Sequence, residues 1–426
     1  MSSAITSLII LAVVIVLFVS HVIPGAVTAV LGCLLFALTK VCSFSDAFSG
    51  FSNSTVVLMF GMMVLGIAME DTGAAKLIGG WVNRVSAHNE RLFIFMAGTT
   101  AALLSTFLTN TAVISIFLPI IASIAKADRR MNRMNMTLPV TMGAMFGGVC
   151  TLVGSTPQLT ANGILSEMCG TELKMFDYTL PGAIIFVVYM LYVLFIGPKF
   201  GRKIWGDRVP ELAEDAGVDE QLKLDNVNKK KVAVVVVIFI LMIVSYIGAW
   251  ISAQLTSVIV ALLCLITGCT TQKSVIKKMD WSVVFILAGC LGIASGITKG
   301  GAGDLMGQVL SKVLTETTAP MLIFAIFVVM TMLISNFITN STAVMITLPI
   351  ALGLCNVIGL NPAAFTLGIV FAANLTFSTP LANAQTAMTL VAGYRFSDYI
   401  RYTWLLDLLV IAAILIVIPL TVPLAL

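Results

Sequence analysis

Ionisable side chains are what this sequence has least of. Of its 426 residues, 10% are Asp, Glu, Lys or Arg, and only two are histidine. A soluble domain carries about 25% charged residues, so this chain cannot build a water-facing surface of ordinary composition. The remainder is 59% hydrophobic with a mean hydropathy of +1.05. That composition belongs to a polytopic membrane protein, and at this length to a single helical membrane domain. With two histidines, His21 and His88, a metal centre is not expected; both read as residues at the membrane interface. The eight cysteines include no C-x-x-C pair and no metal-ligand spacing. Most stand in apolar runs, where Cys acts as a small hydrophobe. The net charge of +4 sits in short loops, so it reports topology and excludes a nucleic-acid partner. The first apolar run, from Ile5, has no basic leader and no small-residue cleavage site, and reads as a retained span.

The shortage is sharpest in four stretches. Residues 92–125, 321–354 and 363–391 contain no ionisable side chain, and 136–168 contains only Glu167. What these stretches do contain is polar and repeated. Thr109-Asn110-Thr111 stands in the middle of the first, and Thr339-Asn340-Ser341 stands 230 residues further on in the second. Phe107 and Phe337 precede the triplets, and Leu118-Pro119 and Leu348-Pro349 follow them, at the same offset. Hydroxyls and an amide in hydrocarbon are costly unless they have buried partners or a ligand. One such triplet could be a packing contact between helices; a second at a matched position is the pattern of a transporter built from two repeats.

Both triplet segments are too long for one simple span. Each reads as a re-entrant hairpin, 92–125 and 321–354, with its tip at the triplet. Backbone that leaves helical geometry at membrane depth must be buried in protein or line a wet cavity. The stretches 136–168 and 363–391 read as discontinuous helices. They are interrupted at Gly154-Ser155-Thr156-Pro157 and at Phe377-Ser378-Thr379-Pro380, where Pro can open a helix but not continue one. The fold class expected is all-α and polytopic: two inverted-topology repeats, about ten spans, two hairpins and two broken helices. The first repeat is 1–198, a basic cytoplasmic linker is 199–231, and the second repeat is 232–426. Glu70-Asp71 mark a span end, and 72–91 is amphipathic enough to lie at the interface. Inversion is read from charge: the loop before the third span lacks Lys and Arg, whereas its counterpart carries Lys273, Lys277 and Lys278. Both termini then lie outside the plasma membrane.

The chemistry follows from these residue types. Hairpin tips and broken helices expose helix N-termini, which suit an anion. Asn110 and Asn340 offer an amide donor and an oxygen, and Thr111, Ser341 and Thr379 offer hydroxyls. Unwound carbonyls and hydroxyl oxygens suit a small hard cation. A proton-coupled carrier needs a titratable group in its site; its absence from these stretches favours Na⁺ as the coupling ion. A membrane-embedded enzyme is not expected, because no His/Asp/Glu cluster could supply the chemistry. An open channel is disfavoured by closed hairpin tips.

At these residues the chain resembles the divalent anion/sodium symporter family, the carriers of dicarboxylates, citrate and sulfate. That family places a Ser-Asn-Thr triplet at each of two hairpin tips and Gly-Thr-Pro-Pro-like breaks in paired discontinuous helices. The resemblance runs from Ile5 to Val422. It implies a first Na⁺ site at Ser105, Thr109, Asn110 and backbone of Gly154 and Ser155. It implies a second at Ser335, Thr339, Asn340 and backbone of Phe377 and Ser378. The anion would lie between Asn110-Thr111 and Asn340-Ser341, near Thr379-Pro380. The family also implies a homodimer whose transport domains move like an elevator. The triplets here read Thr-Asn-Thr and Thr-Asn-Ser, and Gln158 and Leu381 stand where the second Pro of each break would be. The function expected is Na⁺-coupled symport of a small divalent anion, a C4-dicarboxylate. The alternative is an anion exchanger or a carrier of sulfate or another oxyanion.

Overall fold

A computed structural model describes the chain except for residues 1–2, 21, 75–76, 78–88, 129–130, 207, 209–227, 313–318, 381–382 and 426. His21, His88, Leu381, most of the interfacial stretch 72–91 and most of the linker 199–231 therefore lie outside the described residues. Apart from one isolated bridge between Leu360 and Ala425, the described secondary structure is helical.

The first half holds α1 (Ser3–Ser20), α2 (Gly25–Leu38), the short α3 (Phe44–Ala47) and α4 (Ser54–Thr72). Then come α5 (Glu90–Ser105) and α6 (Asn110–Ala127), joined across 106–109, and α7 (Arg133–Gly148) and α8 (Thr156–Cys169), separated by 149–155. It closes with α9 (Thr179–Ile204). The second half holds α10 (Lys229–Gly248), α11 (Ala253–Ile266), α12 (Gln272–Lys278), α13 (Trp281–Gly300) and α14 (Ala302–Ser311). Then come α15 (Pro320–Ser335) and α16 (Asn340–Ile358), and α17 (Pro362–Asn374) and the short α18 (Ala384–Met388). The last is α19 (Phe396–Thr421).

Among the described residues, seven helices are long and apolar enough to cross a membrane: α1, α4, α9, α10, α13, α16 and α19. The halves of the broken segments are shorter. At about 1.5 Å per residue, α8 and α17 rise about 20 Å each, against a hydrocarbon core of about 30 Å. Neither could cross alone, so the breaks fall inside the layer that the longer helices span.

Burial separates an outer from an inner set. On α10, Val237, Leu241 and Ile247 are more than half exposed, an outward face that suits lipid and not water. By contrast, nearly every residue of α7 and α17 is buried. Pairings recur between the halves. α5 packs on α7 as α15 packs on α17, α6 on α7 as α16 on α17, and α2 on α13 as α11 on α4; α9 packs on α19. The α5–α7 contact requires glycine: a Cβ on Gly147 would lie 2.1 Å from the Ala102 carbonyl oxygen.

Polar staples hold the ends. Asn53, Asn89, Asn132 and Asn361 cap α4, α5, α7 and α17 with their side chains. Lys278 Nζ pairs with Glu70 at 2.6 Å and Asp71 at 2.7 Å. Asp46 pairs with Lys299 at 2.5 Å, and that ammonium, with the Ser43 hydroxyl, holds the Asp46 carboxyl below its usual range.

Two boundaries differ from those read in the sequence. α4 runs through Glu70 and Asp71 to Thr72, because Lys278 neutralises the two carboxylates in its last turn. α9 runs to Ile204, so residues 199–204 are helical and not linker. A π turn at Tyr192–Ile196 precedes Pro198; the widened turn accommodates a residue that would disrupt regular i−4 bonding.

Gly147→Val should force α5 and α7 apart, costing more than about 3 kcal/mol by overpacking. The expected result is loss of the monodisperse peak on fluorescence-detected size exclusion, whereas the exposed Val237→Ala should leave it intact.

Candidate functional site

Each triplet opens a helix. α6 starts at Asn110 with Thr109 as its N-cap, and α16 starts at Asn340 with Thr339 as its N-cap. The preceding helix ends five residues earlier, so a serine and the asparagine face one another across each tip. The Ser105 hydroxyl donates to Asn110 Oδ1. The Ser335 hydroxyl lies 3.1 Å from Asn340 Oδ1 and donates to the Ala373 carbonyl at 2.8 Å. Both serines are fully buried.

The helix breaks meet the tips through hydroxyls. Thr151 donates to the Thr106 carbonyl at 2.5 Å, and Thr379 donates to the Asn336 carbonyl. Positions 106 and 336 are again 230 apart, so equivalent tip carbonyls are held by threonines from the two breaks. Close approach is needed on the first side. A Cβ on Gly148 would fall 2.2 Å from Asn110 Oδ1, and one on Gly154 would fall 2.3 Å from the Gly148 oxygen and 2.9 Å from the Ser105 oxygen. Ser105, Asn110, Gly148 and Gly154 thus form one cluster.

A second network joins the two breaks to each other. Gln158 is completely buried. Its Nε2 donates to the Gly148 carbonyl at 2.7 Å and the Thr151 carbonyl at 3.3 Å. Its Oε1 accepts from Asn374 Nδ2 at 3.2 Å. The Ser155 hydroxyl lies against Gln158 Oε1 and donates to Asn374 Oδ1 at 2.8 Å. Gln158 therefore occupies the carbonyls freed at the first break and reaches the end of α17 in the other half.

The expected residues separate as follows. Ser105, Asn110 and Gly154 come together, as do Ser335 and Asn340. Thr109 and Thr339 are exposed; Thr339 Oγ1 shares a hydrogen bond with Thr342, while Thr109 makes no side-chain cap. Thr111 is exposed and accepts from Gln385 Nε2 of α18 at 3.3 Å. Ser341 is half-buried and Pro380 buried. Phe377 is buried and stacks on Phe146 of α7 at 5.3 Å. Ser155 turns its hydroxyl to Asn374 and Ser378 turns its own to Asp407 of α19, so neither side chain faces its hairpin tip.

The stretch 363–391 holds no Asp, Glu, His, Lys or Arg of its own, and Asp407 reaches its break from 29 residues further along the chain. A carboxylate in the middle of an apolar 26-residue helix is itself a signal in sequence. Thr151, Gln158, Asn374 and Asn336 gave no such signal, because their partners are set by packing between distant segments.

Polar hairpin tips clasped by paired broken helices, within a shell of apolar helices, define a transporter. The chain belongs to the citrate transporter family, whose model matches residues 15–327. Relatives support the resemblance to the divalent anion/sodium symporters. A sodium-dependent dicarboxylate transporter, SdcS of Staphylococcus saprophyticus, is 23% identical over 422 residues, covering 88% of this chain and 78% of that protein. An uncharacterised transporter of Synechocystis is 27% identical over 183 residues, 43% of this chain. The match spans 30% of that relative's length. Among solved structures, MtrF of Neisseria gonorrhoeae, described as one of a class of antimetabolite efflux pumps, shares the fold. Its TM-score is 0.63 at 15% identity, covering 90% of this chain and 83% of that one. The protein is thus a multi-pass membrane carrier.

The Gln158–Asn374 link should appear as a coupling energy. Gln158→Leu and Asn374→Leu are each expected to cost about 1–3 kcal/mol. Their double variant should fall short of the sum by about 0.5–3 kcal/mol in a thermal-unfolding cycle; strict additivity would remove the link.

Proposed function

We propose that this protein is a Na⁺-coupled symporter of a small divalent anion, a C4-dicarboxylate, in the plasma membrane. The observation that carries this reading is the doubled arrangement of Ser105–Asn110 and Ser335–Asn340 at tips held by Thr151 and Thr379. The relative named as a sodium-dependent dicarboxylate transporter supports both the ion and the substrate class.

In this reading each asparagine works in two directions. Its Oδ1 faces the serine and the unwound carbonyls, which form an oxygen-rich pocket for Na⁺: Ser105, Thr109, Asn110 and the backbone of Gly154 and Ser155 on one side, Ser335, Thr339, Asn340 and the backbone of Phe377 and Ser378 on the other. Its Nδ2 is left to donate to the anion, together with Thr111, Ser341 and the N-terminal N–H groups of α6 and α16, near Thr379 and Pro380. The described residues place no Arg or Lys in hydrogen-bond contact with the triplets. Bound Na⁺ is then what offsets the anion's charge, and substrate affinity should depend on it. The recurrence of helix pairings between the halves supports two inverted repeats, 1–198 and 232–426, each contributing one hairpin and one broken helix. The inner set, α5–α8 and α15–α18, would move as a body against the lipid-facing helices within a homodimer.

Reconstitution into proteoliposomes tests this. Labelled succinate should accumulate under an inward Na⁺ gradient and not under a K⁺ gradient, with malate competing. Uptake that ignored Na⁺ and required trapped internal anion would make the protein an exchanger. Asn110→Ala and Asn340→Ala should each abolish uptake while leaving folded, extractable protein; full transport by both would remove the site. Thr111→Ala and Ser341→Ala should raise the half-saturating succinate concentration by roughly tenfold, the loss of one hydrogen bond to a charged group.

A further inference from the structure

Asp407 is a residue that the site described so far does not use. It lies near the middle of α19, about 17 Å along the axis from Phe396, and hence at membrane depth. A carboxylate there is costly and is kept for a function or a partner. Its Oδ2 accepts from the Ser378 hydroxyl and lies 3.5 Å from Thr403 Oγ1. The two hydroxyls are 3.1 Å apart. Its Oδ1 is buried and has no hydrogen-bond partner among the described residues.

Among the described residues Asp407 forms no ion pair. Arg208, the basic side chain that reaches α19, is engaged with Asp398 at 3.1 Å, nine positions before Asp407. Of the helices packed on α19, α15 and α17 carry no ionisable residue. α9 presents Tyr192, whose hydroxyl donates to the Tyr402 carbonyl; its basic residues Lys199, Arg202 and Lys203, near its C-terminal end, are exposed, as is Arg401 of α19 itself. Asp407 Oδ2, Ser378 and Thr403 thus gather three side-chain oxygens within 3.5 Å of one another, beside a buried carboxyl oxygen that has no hydrogen-bond partner. Oxygen ligands with a single negative charge suit a hard monovalent cation.

The position gives the site a consequence. Ser378 precedes Thr379, and Thr379 holds the second hairpin tip through the Asn336 carbonyl. A cation drawing Ser378 toward α19 would fix the break from behind, and with it the tip that carries Asn340.

We propose that Asp407, Ser378 and Thr403 form a further Na⁺-binding site between α19 and the second helix break. It rests on the reading of the protein as a cation-coupled carrier, and it is distinct from the hairpin-tip sites because it includes a carboxyl side chain.

Equilibrium binding of radiolabelled Na⁺ to the purified full-length protein, without anion and with choline as the balancing cation, tests it. Asp407→Asn keeps an acceptor for Ser378 and removes the charge; it should bind one Na⁺ fewer per chain than the wild type. Thr403→Ala and Ser378→Ala should weaken one site by roughly threefold to tenfold, and they decide the matter if Asp407→Asn does not fold. Asp407→Glu should restore part of the lost binding. Wild-type stoichiometry and affinity in Asp407→Asn, or in both hydroxyl variants, would overturn the proposal, as would a wild type that binds no Na⁺. The outcome separates from that of the symport reading. Na⁺ binding lost in Asp407→Asn, with uptake indifferent to a Na⁺ gradient, would reject symport and keep this site. Na⁺-driven uptake with unaltered binding in Asp407→Asn would do the reverse.

Discussion

A helix interrupted inside a bilayer leaves carbonyl and N–H groups that hydrocarbon cannot satisfy, and the architecture depends on how those groups are met. This chain interrupts its helices at 106–109, 149–155, 336–339 and 375–380. The groups freed there are met by hydroxyls and amides at or beside the interruptions. Thr151 serves the Thr106 carbonyl, Thr379 the Asn336 carbonyl, Ser335 the Ala373 carbonyl, and Gln158 the Gly148 and Thr151 carbonyls. The polar residues that look misplaced in a hydrophobic sequence are therefore the partners that make the breaks tolerable. Having been opened, the breaks leave helix N-termini and oxygen atoms free to receive ions.

The two halves solve the same problem with different residues. The tip carbonyl is held by Thr151 in one half, ahead of Gly154-Ser155-Thr156-Pro157, and by Thr379 in the other, within Phe377-Ser378-Thr379-Pro380. Ser155 turns to Asn374 at the end of α17, whereas Ser378 turns to Asp407 of α19. Gln158 fills a break from within and ties it to α17. The two breaks are not equal: the first is locked to α17, and the second leans on a carboxyl side chain of α19.

Much of this was legible in the chain. The paired triplets, their hydrophobic flanks and the two Pro-bearing breaks located the four interruptions, because a 20-residue apolar run with hydroxyls and an amide at its centre has few physical explanations. The resemblance to the symporter family, and not the periodicity, put Ser105 with Asn110 and Ser335 with Asn340. What escaped were the partners with large sequence separation. Gln158 looked like the loss of a proline; Thr151 and Asn374 looked like ordinary polar residues. Helix ends also shifted where a tertiary partner intervened, as Lys278 does at Glu70 and Asp71.

The sequence by itself determined the class of solvent, the helical content, the doubling of the polar tips and the poverty of charge around them. These follow from composition and local periodicity, which bilayer energetics reads directly. Only the tertiary structure decided which oxygen faces which. It turned Ser155 and Ser378 away from their own tips, closed Gly147 and Gly148 onto α5 and Asn110, and brought Asp407 to a break whose own stretch holds no ionisable side chain. Side-chain direction at a helix break is set by packing against elements distant in the chain, and no window of sequence contains those elements together.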